Sequence, residues 1–155
     1  MSRSCKHFIW ATIIVLAGAT AVRLSHAQGG GSSPLILLPD LQVQSISVPT
    51  TVKRGEVISV SDTTTNTGTS SAVQSVSAIY ICTNLNNVSS SCLVTNHDVA
   101  GIYINSSTTW GPISVTVPTT TALGTNYYIV VANCNRQVSE LNYYNNTNHV
   151  MIMVY

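Results

Sequence analysis

Alternating apolar and polar side chains run through most of the chain after residue 40, and no stretch shows the spacing of an amphipathic helix. The alternation begins at Leu41 and Val43 and resumes on the opposite parity at Ile46 and Val48. A shift of one residue turns every following side chain to the other face of a sheet. The change of parity at Ser45 therefore predicts a β-bulge or a crossing between two sheets.

The rest of the chain repeats this strand pattern, with turn residues between the segments and no helix. The further segments are Val57–Thr65, Val73–Cys82, Cys92–Val94, Val99–Ile104, Trp110–Val117, Tyr127–Ala132 and His149–Val154. The near-continuous apolar run Tyr127–Ala132 is typical of a central strand packed on both faces. The pattern amounts to about seven strands and predicts an all-β, immunoglobulin-like β-sandwich.

The chain begins with features of a secretory signal peptide, predicted over residues 1–27. A short basic start precedes the apolar run Phe8–Val22, and Ser25-His26-Ala27 offers small residues to a peptidase. The run falls short of the about 20 apolar residues that span a bilayer, so an uncleaved anchor is the less favoured alternative. Residues 28–38 form a linker that is rich in Gly and Ser and ends in an apolar tetrad. We expect a secreted protein with one domain at residues 39–155.

Charge excludes two classes of partner. Cleavage after Ala27 would leave three basic against five acidic side chains, a net charge of −2. Nucleic-acid binding needs a clustered basic face, and so does attachment to anionic lipid. We therefore expect no nucleic-acid partner and no stable membrane insertion after signal cleavage. Only 7% of residues are charged, but 45% are hydrophobic, which is enough for a core.

No arrangement of residues in the sequence indicates catalysis or a cofactor. No serine lies in a Gly-x-Ser-x-Gly elbow, no Gly-rich phosphate loop is present, and the five acids are scattered. His97 and His149 lack a second ligand at the close spacing of metal sites, and we expect both on the surface. The sequence predicts a protein that is not an enzyme and that holds no metal.

A polar turn joins the last two strands and carries four oxygen-bearing side chains, those of Glu140, Asn142, Asn145 and Asn146. Such oxygens can ligate Ca²⁺, although one carboxylate is few for a calcium loop. The favoured alternative is structural: the asparagines bond the backbone of the turn, and Glu140 accepts nearby N–H groups.

Three segments together resemble the bacterial cell-adhesion-related domain (CARDB) family. They are Pro39-Asp40-Leu41-Gln42-Val43 running on to Arg54-Gly55, Thr65-Asn66-Thr67-Gly68-Thr69, and the closing Gly124–Tyr128 with Glu140–Asn146. The resemblance implies an extracellular, immunoglobulin-like, non-catalytic module for adhesion or cell-surface interaction, with a protein or glycan as partner. The family usually has acidic residues where this chain has Asn133-Cys134 and Tyr143, and their loss weakens a cation-binding role.

Three cysteines follow the predicted signal peptide. Cys82 ends one strand and Cys92 begins the next, so we expect a disulfide that closes the loop between them. Cys134 should lie near the start of the strand that contains Cys82, and therefore far from Cys82 itself. We expect Cys134 to be a free thiol or to form an intermolecular bond.

Two alternative functions use other residues. The tetrad Leu35, Ile36, Leu37 and Leu38 either packs along its own domain as an extension of the first strand or adds as a strand to a neighbouring copy, which would build an extracellular filament. Trp110, Tyr143 and Tyr144 are candidate contact aromatics, and as stacking platforms they would make the protein a carbohydrate-binding accessory module.

Overall fold

The computed structural model describes residues 35–155, so the predicted signal peptide and the linker as far as residue 34 lie outside the described residues. The described part contains eight strands and one short 3-10 turn at Ser90–Cys92, and none of its helices is long and apolar enough to cross a membrane. The strands are β1 Leu41–Ser47, β2 Thr51–Val52, β3 Val57–Asn66, β4 Ser75–Cys82, β5 Leu93–Val99, β6 Ser107–Thr116, β7 Gly124–Val131 and β8 Thr147–Val154.

The strands form two sheets, in the orders β1-β3-β6 and β2-β8-β7-β4-β5. Every pairing is antiparallel except that of β2 with β8, which is parallel. The predicted all-β, immunoglobulin-like sandwich is confirmed.

The change of parity in the first strand marks a real irregularity. The register of β1 against β3 shifts between Val43 and Ser45, which is the predicted bulge. After Ser47 the chain leaves the three-stranded sheet, and Val52 pairs with Val154 in the other sheet. The segment thus contains both a bulge and a crossing.

One part of the predicted strand map is wrong. Residues 93–99 form a single strand, β5, whereas two short strands were expected on either side of Asn96-His97-Asp98. The reason is that His97 is buried, with its Nε2 3.1 Å from Asp62 Oδ2 on the facing sheet and its ring stacked on Trp110 at 3.9 Å. A polar residue therefore takes an inward position, and the expectation of a surface His97 is also wrong; His149 is exposed.

The core lies between the sheets and includes the inward residues of β4 and β7. Ile79, Tyr128 and Val130 are at most 1% exposed there. Ile129 and Val131 face the outer side of the same sheet and are buried in a second apolar cluster with residues of β4. β7 is therefore a central strand packed on both faces, as its apolar run predicted.

Cys82 ends β4, and Cys134 follows the end of β7. Because β4 and β7 are antiparallel, the two cysteines lie at opposite ends of the sheet. Cys82 bonds Cys92 with a Cα–Cα distance of 5.4 Å, which confirms the predicted disulfide. Cys134 N–H donates to Val76 O at the start of β4, whereas Cys82 pairs with Tyr127. Cys134 is itself disulfide-bonded, and no cysteine among residues 35–155 is free, so the free-thiol alternative is wrong.

Replacing both Cys82 and Cys92 by serine should lower the free energy of unfolding by about 2–3 kcal/mol, because the loop between them would regain entropy in the unfolded chain. Urea unfolding followed by tryptophan fluorescence measures the change. Ser91→Ala, in the same loop, is the control and should have little effect. An unchanged unfolding midpoint in the double variant would contradict the prediction.

Candidate functional site

Four segments meet at one end of the sandwich, which we call the loop end. They are residues 35–40, 67–74, 100–106 and 132–146. Backbone hydrogen bonds join them: Thr69 N–H donates to Leu38 O at 2.8 Å, and Leu141 N–H donates to Pro39 O at 2.9 Å. The loop end is therefore one connected surface.

Glu140 joins the closing turn to the start of β1 through its buried side chain. Its carboxylate accepts hydrogen bonds from Leu41 N–H at 2.5 Å, Asn133 Nδ2 at 2.5 Å and Asn146 Nδ2 at 2.7 Å, and its side chain is buried. Burial raises the pKa of Glu140 above its ordinary value, and the three donors oppose that shift without cancelling it. The carboxylate is occupied by donors from its own chain and links the start of β1 to the closing turn.

The asparagines of the closing turn also bond to protein groups. Asn142 Oδ1 accepts from Tyr144 N–H at 2.9 Å, and Asn145 Nδ2 donates to Asp40 Oδ1 at 2.9 Å. Asn146 Nδ2 reaches Ala132 O as well as Glu140. Among residues 35–155 no three His, Cys, Asp or Glu side chains are grouped to hold a metal ion. The geometry favours the structural role of this turn over a calcium site.

Asn66 joins three of the four segments of the loop end through its side chain. It is fully buried, and its Oδ1 accepts from Asp40 N–H at 3.1 Å and from Gly68 N–H at 3.0 Å. Its Nδ2 donates to Ser70 O at 2.8 Å and to Ile102 O at 3.1 Å. One side chain thus satisfies backbone groups from three of the four segments.

Gly68 allows the N-terminal segment to approach this turn. A Cβ placed on Gly68 would lie 2.4 Å from Leu38 O and 2.5 Å from Asp40 N. Both are backbone atoms that cannot rotate away, so only glycine fits. Gly68 and Asn66 therefore define where residues 38–40 enter the domain.

The three candidate contact aromatics differ in exposure. Trp110 is half-buried under its stack with His97 and is not an open platform, contrary to expectation. The Tyr143 hydroxyl donates to Val138 O at 3.1 Å and accepts from Glu140 N–H at 3.2 Å, so Tyr143 helps to build the turn. Tyr144 is 89% exposed at the loop end and is the one of the three free to contact a partner.

The structure adds apolar contact residues that the sequence did not reveal. Tyr103 is 77% exposed, and Ile104 and Leu141 are also exposed, all in loops of the end that carries Tyr144. They lie in turns, where the period-2 pattern has no meaning, and they come together only because separate loops share one end of the sandwich.

The tetrad extends the same surface. Leu35, Ile36 and Leu37 are 81%, 68% and 53% exposed and belong to no strand, whereas Leu38 is bonded to Thr69. Leu35–Leu37 do not pack along their own domain in the described residues. The expectation that they extend β1 along the sandwich edge is therefore wrong, and the strand-exchange alternative stays open.

Comparisons with known proteins agree on one family. The CARDB family profile matches residues 38–150. A CARDB domain from Pyrococcus furiosus, crystallised in complex with di-metal ions, is 20% identical with a TM-score of 0.57; the match covers 77% of this chain and 96% of that one. A domain described as belonging to a cell surface protein, from Methanosarcina acetivorans, is 18% identical with a TM-score of 0.57, covering 77% and 94%. At these identities the likeness shows a shared fold. No curated protein matches the chain.

Proposed function

The chain belongs to the CARDB family, a family of cell-surface-associated domains, and from this premise we propose that it is a secreted, non-catalytic module that binds a protein or glycan at the cell surface. We propose further that it binds through the loop end. The support is a single observation: four large exposed side chains, Tyr103, Ile104, Leu141 and Tyr144, lie in the loops of this hydrogen-bonded end.

The base gives this surface a fixed shape. Asn66 bonds backbone groups of three segments and Glu140 bonds two side chains of the fourth, so the loops above them lose little conformational entropy when a partner binds. Large exposed apolar residues gathered in one place mark interaction sites more often than scattered ones do. Tyrosine suits either class of partner, because its ring packs on apolar surface or a sugar while its hydroxyl bonds polar groups.

Binding of the labelled, purified protein to cells and to a glycan array tests this proposal. Tyr144→Ala should weaken binding at least tenfold, and Tyr103→Ala should add to the loss, because central aromatic residues contribute most to such interfaces. Tyr155→Ala is the matched control, since Tyr155 is 61% exposed at the opposite end of the sandwich. Equal binding by the Tyr144 and Tyr155 variants would contradict the proposal. Binding to the array identifies a glycan, and binding to cells alone a protein.

A second candidate function is that of an extracellular filament subunit. The observation that favours it is the exposure of Leu35–Leu37 outside any strand, since three adjacent aliphatic side chains in water carry an unfavourable free energy of hydration. Deleting residues 35–37 should then abolish any rise of molar mass with protein concentration in light scattering. A wild-type protein that stays monomeric at every concentration would rule this candidate out.

A further inference from the structure

One edge of the five-stranded sheet is only partly covered. β2 pairs with the last two residues of β8 and ends there. At that end Met153 N–H donates to Thr50 O at 2.8 Å, and Tyr155 N–H donates to Val52 O at 3.1 Å. Since alternate residues of a strand direct their backbone groups to the same edge, Met151 directs its N–H and C=O to this edge as well.

The backbone of Met151 finds no partner on that side. Within residues 35–155, Met151 has no backbone hydrogen bond outside its ladder with β7, and its side chain is 62% exposed. Two residues earlier, His149 N–H is capped by the side chain of its neighbour Asn148 at 2.8 Å. The stretch from residue 148 to residue 151, which we call the open edge, is therefore a short unpaired strand edge in contact with solvent.

The other sheet edges carry a bulge, a proline or a charge, and the open edge carries none of these three. Natural proteins protect edges with bulges, prolines and charges. β1 has its bulge at Val43–Ser45, β6 contains Pro112, and β5 carries Asp98. β8 has the sequence TNHVMIMV, without a proline, an acid, a lysine or an arginine, and it pairs with β7 in unbroken register.

Each face of the open edge carries one apolar side chain beside a polar one: Val150 beside Asn148 on the inner side, and Met151 beside His149 on the outer side. On the inner side Asn148 Nδ2 donates to Val43 O at 3.0 Å, so β1 lies opposite this part of β8. Beside that contact Val150 and Ile46 pack against the core but stay partly exposed. On the outer side lies Met151. A strand added beside Val150 and Met151 would place alternate side chains against these two residues, which favours apolar residues in the added strand.

We propose that the open edge of β8 receives Leu35–Leu37 of a second copy of the chain as an added strand. This segment is aliphatic at every position, uncharged, exposed and outside any strand, and its three residues fit within the four of the open edge. Leu38 is fixed to Thr69, so the segment leaves its own domain at a defined point. The inference rests on the filament candidate above and adds to it the receiving surface.

The donating segment and the receiving strand are different surfaces, and this difference determines the kind of assembly. The donating segment lies at the loop end and the receiving strand along the side of the sandwich. An exchange between unlike surfaces is heterologous, and when the rotation does not close it produces a filament. Each copy then gains the burial of three aliphatic side chains and the pairing of the Met151 backbone.

A mixing experiment tests both surfaces at once. Met151→Pro removes the N–H of the open edge and leaves the ladder to β7 intact, because that N–H points away from β7. The variant Leu35→Asp with Leu37→Asp removes the donor. Each variant alone should be monomeric in sedimentation velocity, and an equimolar mixture should contain dimers. The dimer forms because one variant keeps the donor and the other keeps the acceptor.

Ser114→Pro is the matched control and should assemble like the wild type. Val117 N–H donates to Glu56 O, so Ser114, an odd number of residues away, directs its own N–H to the open side of β6. If Met151→Pro lowers the melting temperature, Met151→Lys replaces it and should block assembly by placing a charge beside the incoming leucines. A mixture that stays monomeric, or unimpaired assembly of the Met151 variants, overturns the inference. Whether or not the strand-exchange inference holds, loss of cell binding in Tyr144→Ala would support the proposed binding function.

Discussion

Replacing Glu140 by alanine is expected to lower the free energy of unfolding by about 3–4 kcal/mol, the largest effect of any single side chain at the loop end. Leu41 N–H, Asn133 Nδ2 and Asn146 Nδ2 would all lose their acceptor in a buried position. Each unsatisfied buried donor costs about 1–3 kcal/mol, and removal of a buried carboxylate returns part of that sum. Chemical unfolding monitored by circular dichroism measures the difference.

Asn142→Ala is the control for this variant, since Asn142 is exposed and its side chain accepts from Tyr144 N–H. It should cost less than about 1 kcal/mol. A Glu140→Ala protein as stable as Asn142→Ala would show that the carboxylate does not join the segments. Addition of Ca²⁺ should not change the stability of the wild type, because the Glu140 carboxylate is already occupied by three donors.

The raised pKa of Glu140 predicts that the free energy of unfolding depends on pH. Burial raises its pKa above the ordinary value of 4.5, so the folded state binds this proton more tightly than the unfolded chain does. The contribution of Glu140 to the free energy of unfolding is therefore fully present below pH 4.5 and falls as the pH rises through the folded pKa. Glu140→Gln cannot titrate, and its stability relative to the wild type should increase over that interval.

The strands could be predicted because their signal is local. Side chains alternate across a strand whatever the sheet pairs with, and the parity change at Ser45 was visible as a bulge for the same reason. β5 was misread because its inward positions include His97, whose partner Asp62 lies 35 residues earlier on the other sheet. A polar residue looks like part of a turn until its buried partner is known.

The candidate site could be predicted only in part. The closing turn was recognisable because Glu140 and its asparagines are close in sequence, and the structure assigns them the structural role that was favoured. The apolar surface of the loop end was not recognisable, since Tyr103 and Tyr144 are separated in the sequence by the two strands β6 and β7. Trp110 and Tyr143 were predicted to be contact aromatics, but both are used within the domain. Trp110 stacks its ring on His97, and the Tyr143 hydroxyl donates to Val138 O.

Replacing Asn66 by alanine is expected to cost about 3 kcal/mol, because four backbone groups would lose a partner at a fully buried position. Water entering the space left by the side chain offsets part of the loss. Asn84→Ala is the matched control: Asn84 is an exposed asparagine whose side chain accepts from Asn86 N–H, and the loss of that side chain should cost less than about 1 kcal/mol. Hydrogen exchange should accelerate at Asp40 and Gly68 in the Asn66 variant alone.

Combining Asn66→Ala with Glu140→Ala tests whether the loop end is one unit. Asn66 holds Asp40 N–H and Glu140 holds the adjacent Leu41 N–H, so both side chains fix the same entry of the chain into β1. Once either is gone, that entry is already loosened and the second loss should cost less than it does alone. The double variant should therefore be more stable than the sum of the single changes predicts, by about 1 kcal/mol. Strict additivity would show that the two side chains support separate loops, and a single rigid binding surface would then lack its physical basis.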